Sequence, residues 1–215
     1  MQKIKTALII SLLAFSVGST KAQNLHVGSS IISLGFNGSL YTFASTNLCA
    51  STTASGSMPC FLISPSYSYV VLNKLTLDGS LGIGIYGGGT GFDIGLGISY
   101  HLLFPAHSAN PFEAFFKFQA GFTTLSMVNG IVTDAGKFTS DGIFYVPGIG
   151  IRKYLFGDVG LFADVNYAFY TYSGGEVIEN SSLKLPYVLN FSGLNFGGGI
   201  CWRISPPRQG TSTTF

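Results

Sequence analysis

The sequence predicts an all-β fold, an eight-stranded antiparallel up-and-down transmembrane β-barrel preceded by a cleaved signal peptide. The first observation is alternation, because eight segments place bulky apolar residues at every second position, as a strand with two unlike faces does. The second is charge, which is only 9% of the chain against roughly 25% in ordinary soluble domains. The third is the 29 glycines among 215 residues, well above the usual share of about 7%. Such a chain is too poor in charge to coat a soluble globule.

Residues 1–22, MQKIKTALIISLLAFSVGSTKA, have the pattern of a secretory signal peptide. Lys3 and Lys5 precede an apolar stretch, and Thr20 and Ala22 fit the small-residue positions of a cleavage site. The apolar stretch is too short to span a membrane as a helix, and no later apolar run reaches 18 residues. We therefore expect a signal peptide over 1–22, a barrel over 23–204 that uses strands, and a short C-terminal tail over 205–215.

The eight segments each hold the roughly 9–11 residues that a tilted transmembrane strand needs. In chain order they are 25–43, 61–72, 75–86, 92–104, 112–123, 143–155, 159–172 and 189–204. The connections at 73–74, 105–111 and 156–158 are short. Those at the other end are 44–60, 87–91, 124–142 and 173–188, and all but 87–91 are long and rich in Ser, Thr, Gly and Asn. Short turns at one end and longer loops at the other are typical of outer-membrane barrels.

The first four segments differ in how clearly they alternate. In the first segment, Gly28, Gly35 and Gly38 leave the register open. The second opposes Ile63, Tyr67, Tyr69 and Val71 to Ser64, Ser66 and Ser68, and the third opposes Leu77, Leu81, Ile83 and Ile85 to Asp78, Ser80, Gly82 and Gly84. The fourth opposes Phe92, Ile94, Leu96, Ile98, Tyr100 and Leu102 to Asp93, Gly95, Gly97, Ser99 and His101. The second segment also contains Pro65, which cannot donate to a ladder and is expected near a rim or bulge.

The last four segments repeat the pattern. The fifth places Phe112, Ala114, Phe116, Phe118, Ala120 and Phe122 on one side, and the seventh places Val159, Leu161, Ala163, Val165, Tyr167 and Phe169 there. The sixth contains Pro147, a second strand proline, and the eighth puts Cys201 on the side of Gly197 and Gly199. The charges of the clearest strands all share one side: Asp78, Asp93, Glu113, Lys117, Arg152 and Asp164. Because Lys or Arg facing lipid near the midplane costs roughly 2–4 kcal/mol, we expect the bulky side to face lipid and the charged side to face a narrow lumen.

Aromatic residues gather near the segment ends, which predicts two girdles at the membrane surfaces. The loop-end set is Tyr41, Phe43, Phe61, Tyr86, Phe92, Phe122, Tyr145, Tyr170, Tyr172 and Phe191. The turn-end set is Phe104, Phe112, Tyr154, Phe156 and Trp202. The alternative is that aromatic residues simply favour strands.

Two hairpins, ISPSYSYVVLNKLTLDGSLGIGIY (63–86) and GIGIRKYLFGDVGLFADVNYAF (148–169), resemble the small OmpA-like, porin-family β-barrel domains of Gram-negative bacteria. The resemblance extends over 23–204 and implies an eight-stranded barrel in the outer membrane, usually without enzymatic activity. It also implies outer-membrane lipid and the barrel-assembly machinery as partners. Members of this family often end on an aromatic residue that the assembly machinery reads. Here Trp202 and Ile204 end the last strand and a tail follows, so the place of that signal stays open.

Strand direction puts six inward groups in the turn-side half of the lumen: Asp78, His101, Glu113, Lys117, Arg152 and Asp164. Opposite charges buried together compensate one another, so we expect a salt-bridge network that plugs the lumen. The alternative is an ion pathway or gate.

The cysteines predict a disulfide rather than a metal site. Cys49 and Cys60 lie within or at the end of the first long loop, and secretion exposes them to oxidising surroundings. The alternative is two free thiols, and Cys201 is expected as a lone small residue facing the lumen. Three cysteines without paired spacing and three scattered histidines predict no metal site, and no motif predicts a cofactor.

The sequence therefore predicts an integral outer-membrane barrel that is not an enzyme and has a structural or surface-interaction role. Its net charge of +2 comes without basic runs, which argues against nucleic acid, and no ligand or external partner is indicated. One alternative is a lipid-modifying barrel enzyme that uses Ser99 and His101 with Asp93 or Glu113. The other is a secreted soluble β-barrel that binds an apolar ligand and has the two faces inverted.

Overall fold

Eight antiparallel strands form a closed barrel in chain order in the structure, a computed structural model that describes residues 27–47, 53–87, 89–104, 112–127, 136–156, 158–178 and 184–205. The strands are β1 (Ser30–Asn47), β2 (Thr53–Leu72), β3 (Leu75–Tyr86), β4 (Gly89–Phe104), β5 (Phe112–Met127), β6 (Gly136–Phe156), β7 (Val159–Ile178) and β8 (Lys184–Ile204). The ladder between β1 and β8 runs from Ser30↔Ile204 to Asn47↔Tyr187 and closes the ring. The predicted up-and-down barrel is confirmed.

The two ends of the chain are described only in part. The predicted signal peptide over 1–22 lies outside the described residues, as does all of the predicted tail except Ser205. The described residues contain no helix with the length and apolarity that a membrane crossing requires.

The strands run further toward the loop end than the alternation predicted. At the turn end the predicted and observed bounds agree to within one residue for β2 to β8, whereas β1 begins at Ser30 instead of 25, and β3 matches at both ends. At the loop end β2 begins at Thr53 instead of 61, β6 begins at Gly136 instead of 143, and β7 continues to Ile178 instead of 172. These extensions are rich in Ser, Thr and Gly, so they lack the alternation of bulky apolar and small polar residues that identifies a strand in lipid. Hydrogen bonds to the neighbouring strands nevertheless continue along them.

The bulky apolar face points outward all around the barrel. Ile94, Leu96, Phe116 and Val165 are 49%, 77%, 45% and 38% exposed, whereas their neighbours Asp93 and Asp164 are buried. These apolar residues therefore do not converge on a common core. The predicted assignment of the two faces is confirmed.

Pro65 and Pro147 lie within the barrel wall, and each side chain is on the exposed face. Pro65 is paired with Leu34 of β1, but the β2–β3 ladder skips from Ile63↔Ile83 to Ser66↔Ser80. Pro147 is paired with Phe118 of β5, and the β6–β7 ladder skips in the same way on its other side. Each proline thus keeps one neighbour and interrupts the ladder to the other, as the missing N–H requires.

We expect Leu96→Arg to reduce the yield of folded barrel in lipid vesicles, because it places a charge on the outward face at a cost of about 2–4 kcal/mol. The matched control is Thr90→Arg, which lies on the same face of β4 at its loop end, where such a charge costs only about 0–1 kcal/mol. The measurement is the folded fraction by heat-modifiable gel mobility. Equal yields for the two variants would contradict the outward assignment.

Candidate functional site in the barrel lumen

The lumen has three layers between the loop end and the turn end. The loop-side layer, here called the aromatic plug, comprises Tyr41, Met58, Cys60, Tyr86, Leu125, Met127, Phe144, Val146, Ala168, Tyr170, Tyr172, Leu189 and Phe191. Below it lies a polar cavity, here called the chamber. The turn-side layer, here called the ionic network, comprises Thr76, Asp78, Ser99, His101, Glu113 and Arg152, all of them buried.

The aromatic plug corrects the girdle prediction. Tyr41, Tyr86, Tyr154, Tyr170, Tyr172 and Phe191 were expected at the membrane surfaces, but all six are buried inside the barrel. Phe61, Phe92, Phe122, Tyr145 and Trp202 do face outward, so the girdle holds for those residues. Proximity to a strand end indicates the depth of a side chain but not the face on which it lies, and the face had to come from the register.

Tyr170 is at the centre of the plug. Its ring lies 5.6 Å from the rings of Tyr41 and Phe144 and 6.0 Å from the ring of Tyr172, between centroids. Aromatic pairs at such distances stabilise one another by about 0.5–1.5 kcal/mol beyond the burial of their area. The plug thus fills the loop-side lumen with mutually packed rings.

Asp93 lies directly beneath the plug and is held by three hydroxyl groups. Thr123 Oγ1 donates to Asp93 Oδ1 at 2.5 Å, while the hydroxyls of Tyr86 and Tyr170 donate to Oδ2 at 3.3 Å and 3.2 Å. The Thr123 hydroxyl also lies 3.1 Å from the hydroxyl of Tyr172. Asp93 therefore ties β4 to β3, β5 and β7 through hydrogen bonds across the lumen.

Glu113 contacts both Arg152 and His101 in the ionic network. Arg152 Nη1 donates to Glu113 Oε1 at 2.5 Å, and His101 Nδ1 lies 3.4 Å from the same oxygen. The Arg152 guanidinium also lies 5.2 Å from the centroid of the Phe115 ring. These groups come from β4, β5 and β6, and β5 carries both the carboxylate and the ring.

A hydrogen-bond chain connects His101 to Asp78. Thr76 Oγ1 donates to Asp78 Oδ1 at 2.9 Å and lies 3.1 Å from His101 Nε2. Because the single hydroxyl proton of Thr76 is given to Asp78, the His101 Nε2–H must be the donor in the second contact. Ser99 Oγ donates to the other oxygen of Asp78.

Lys117 and Asp164 form a separate pair nearer the middle of the lumen. Lys117 Nζ donates to Asp164 Oδ2 at 2.6 Å, and Asn166 Nδ2 donates to Asp164 Oδ1 at 3.0 Å. The structure thus places all six sequence-predicted residues inside the barrel, but it divides them. Asp78, His101, Glu113 and Arg152 belong to the ionic network, while Lys117 and Asp164 line the chamber.

The sequence did not indicate one further ion pair at the turn-side rim. Arg203 Nε donates to Asp158 Oδ1 at 2.9 Å, and the Arg203 guanidinium stacks on Tyr154 at 4.6 Å from the ring centroid. Asp158 lies in the turn before β7, so it belongs to no strand face and strand alternation could not place it. The pair could still have been anticipated, because β7 and β8 must be neighbours in an eight-stranded barrel, and this brings the start of β7 close to the end of β8.

The candidate Ser–His–acid set is not assembled among the described residues. Ser99 donates to Asp78, while His101 contacts Thr76 and Glu113. Asp93 is bound instead to the hydroxyls under the plug. A nucleophile and its base must lie within hydrogen-bonding reach of each other, and Ser99 and His101 are occupied by other partners.

Cys60 is a free thiol in the structure, and the Cys49–Cys60 disulfide stays a prediction because its other member is not described. Cys60 does not end a loop, because β2 begins at Thr53 and buries the Cys60 side chain in the aromatic plug. Cys49 lies outside the described residues. Cys201 is free and buried in the lumen, as predicted.

Solved structures of outer-membrane proteins share this fold. The chain is similar to OprG from Pseudomonas aeruginosa, with 12% identity and a TM-score of 0.59 over 86% of this chain and 100% of that one. It is also similar to AlkL in lipid bilayers, with 13% identity and a TM-score of 0.49 over 88% and 96% of the two chains. No protein-family model matches, and no curated protein matches. The likeness to OprG shows that the fold is that of a small outer-membrane barrel.

We expect Glu113→Gln to lower the free energy of unfolding by about 3–5 kcal/mol, because it leaves the buried Arg152 without its counter-charge. The matched control is Asp158→Asn, which removes a half-exposed partner of Arg203 and should cost about 0–1 kcal/mol. Urea unfolding in lipid vesicles measures both. A loss for Glu113→Gln no larger than that of the control would contradict the compensating role of Glu113.

Proposed function

We propose that this chain is an integral outer-membrane β-barrel protein whose filled barrel is a structural anchor and whose loop-end rim contacts partners outside the cell. The observation that carries the proposal is the combination of an apolar exterior with a packed lumen. A soluble barrel that binds an apolar ligand would have the reverse arrangement.

The exterior is an uninterrupted apolar surface. Soluble monomers rarely expose apolar patches larger than about 300–600 Å². Here every strand exposes large apolar side chains, including Phe36, Ile63, Ile83, Leu96, Phe122, Ile149, Leu161 and Phe196. Lipid acyl chains are the covering that such a belt requires, and the closed ring leaves no sheet edge to be solvated in hydrocarbon.

The lumen supports a structural role over a conducting one. Among the described residues, the aromatic plug fills the loop side and the ionic network fills the turn side, with a small cavity of about 80 Å³ between them. An eight-stranded barrel has an interior just wide enough for its own side chains. An open ion pathway would require both layers to move.

The loop-end rim supports a surface-interaction role. At about 3.3 Å per residue and a tilt of about 40°, a 20-residue strand such as β2 rises about 50 Å, roughly twice the apolar band of about 25 Å. The 12-residue β3 rises only about 30 Å by the same reasoning. The wall is therefore tall on most sides and low at the β3–β4 hairpin. Extracellular loops are the longer ones in such barrels, so this uneven rim faces outward from the cell.

The topology is tested with single cysteines in a Cys49→Ser background, because Cys60 and Cys201 are buried. We expect Ser57→Cys, exposed near the loop end of β2, to react with a membrane-impermeant maleimide on intact cells. Asn73→Cys, exposed in the β2–β3 turn, should react only after the outer membrane is permeabilised.

The same strains supply a control for location, since the labelled protein should stay in the membrane pellet until detergent is added. Labelling of Asn73→Cys but not Ser57→Cys on intact cells would reverse the proposed orientation. Recovery of the protein in the soluble fraction would overturn the membrane assignment itself.

A further inference from the structure

The chamber has a volume of about 80 Å³ and a mixed lining, in which polar side chains from several strands lie beside apolar ones such as Leu62, Phe144 and Val146. The lining residues that decide its charge and hydrogen bonding are Asp93, Lys117, Asp164, Asn166 and Asn195. A water molecule needs roughly 10–15 Å³ measured in this way, so the chamber has room for an ion together with several waters.

The charges around the chamber do not balance. Three of its lining residues are ionisable to a full charge near neutral pH: Asp93, Lys117 and Asp164. Lys117 is bound to Asp164 at 2.6 Å, and among the described residues no Lys, Arg or His forms an ion pair with Asp93. The three groups that donate to Asp93 are neutral hydroxyls. An ionised Asp93 is therefore left without a counter-charge, which is costly in a protein interior.

Two amide oxygens at the chamber also lack a partner. Asn166 Nδ2 donates to Asp164 Oδ1, which fixes the orientation of that amide and makes its free atom an acceptor. Asn166 Oδ1 and Asn195 Oδ1 are both buried without a hydrogen-bond partner in the described structure. The two residues are 3% and 5% exposed, and they face each other across the β7–β8 ladder. Buried acceptors of this kind are rarely left unsatisfied.

A bound cation would supply both the missing counter-charge for Asp93 and a partner for the two amide oxygens. We propose that the chamber binds one monovalent metal cation, Na⁺ or K⁺, through the Asp93 carboxylate and the side-chain oxygens of Asn166 and Asn195, with water completing its shell. Hard oxygen ligands suit alkali and alkaline-earth cations, but Ca²⁺ sites usually draw on several carboxylates and Mg²⁺ needs a near-ideal octahedron. A single uncompensated charge fits a monovalent ion.

The proposal rests on the geometry of the lumen and not on the surface role proposed above. The described residues contain no group of three or more His, Cys, Asp or Glu that could hold a metal ion. The proposed ligand set is of another kind, because it combines one carboxylate with amide oxygens and water.

The first experiment compares urea unfolding of the barrel in lipid vesicles in NaCl, in KCl and in choline chloride at equal ionic strength. Choline is too large for the chamber and controls for screening. If one of the metal ions is present at about ten times its dissociation constant, the ratio of folded to unfolded protein should rise about 11-fold over that in choline. Identical unfolding in the three salts would overturn the proposal.

Two variants locate the effect. Asp93→Asn keeps the shape of the side chain and removes its charge, so the advantage of the metal ion over choline should disappear. Asp141→Asn removes an exposed carboxylate of β6 and should keep the full advantage. Loss of the advantage in both variants, or in neither, would contradict a site at Asp93.

The second experiment needs no variant and so does not depend on whether Asp93→Asn folds. Crystals of the wild-type barrel grown in RbCl are measured at the rubidium absorption edge. We expect an anomalous peak inside the chamber, in contact with Asp93. If KCl stabilises the barrel in the first experiment, peaks only on the protein surface, or none, would overturn the proposal.

Discussion

Hydrocarbon offers no hydrogen bonds, so every backbone N–H and C=O of the wall must find its partner within the protein. Pairing of β8 with β1 meets that requirement by removing both sheet edges. Closure also determines what each face of a strand contacts. A strand has two faces, and in a ring of eight strands one faces lipid and the other faces a narrow interior. Pro65 and Pro147 are the places where this pairing is locally interrupted, since each keeps the ladder to one neighbouring strand and breaks the ladder to the other.

The narrow interior decides how the polar side is used. Charges that lipid excludes are buried together, and they must then compensate one another. Arg152 with Glu113 and Lys117 with Asp164 do so by direct contact, and Asp78 is held by hydroxyl groups. On the loop side the barrel uses rings instead, so that Tyr170 and its neighbours fill the lumen without charge. Asp93, held by hydroxyls of that layer, is the one charge at the chamber that this arrangement leaves unpaired among the described residues.

Much of this architecture could be predicted from the sequence, because alternation carries both the existence of a strand and the assignment of its faces. The outward Leu96 and the inward Arg152 follow from parity alone. Alternation failed where both faces meet water, and so it ended β2 and β6 too early. It also failed for Tyr41 and Tyr170, since a ring near a strand end fits either a girdle or a plug. Because β2 was ended too early, Cys60 was placed in a loop. The chamber depends on residues that different strands bring to one cavity, such as Asp93 and Asn195, and no local pattern contains that information.

The central claim is that the bulky face meets lipid and the small, polar face meets the lumen. A nitroxide scan of β4 in lipid vesicles tests it most directly, using power saturation with oxygen, which partitions into lipid, and with a water-soluble nickel chelate. The account predicts high access to oxygen at Ile94, Leu96 and Ile98 and low access at Asp93, Gly95 and Gly97, which is a period of two. The opposite phase, or access to oxygen that does not alternate, would contradict it.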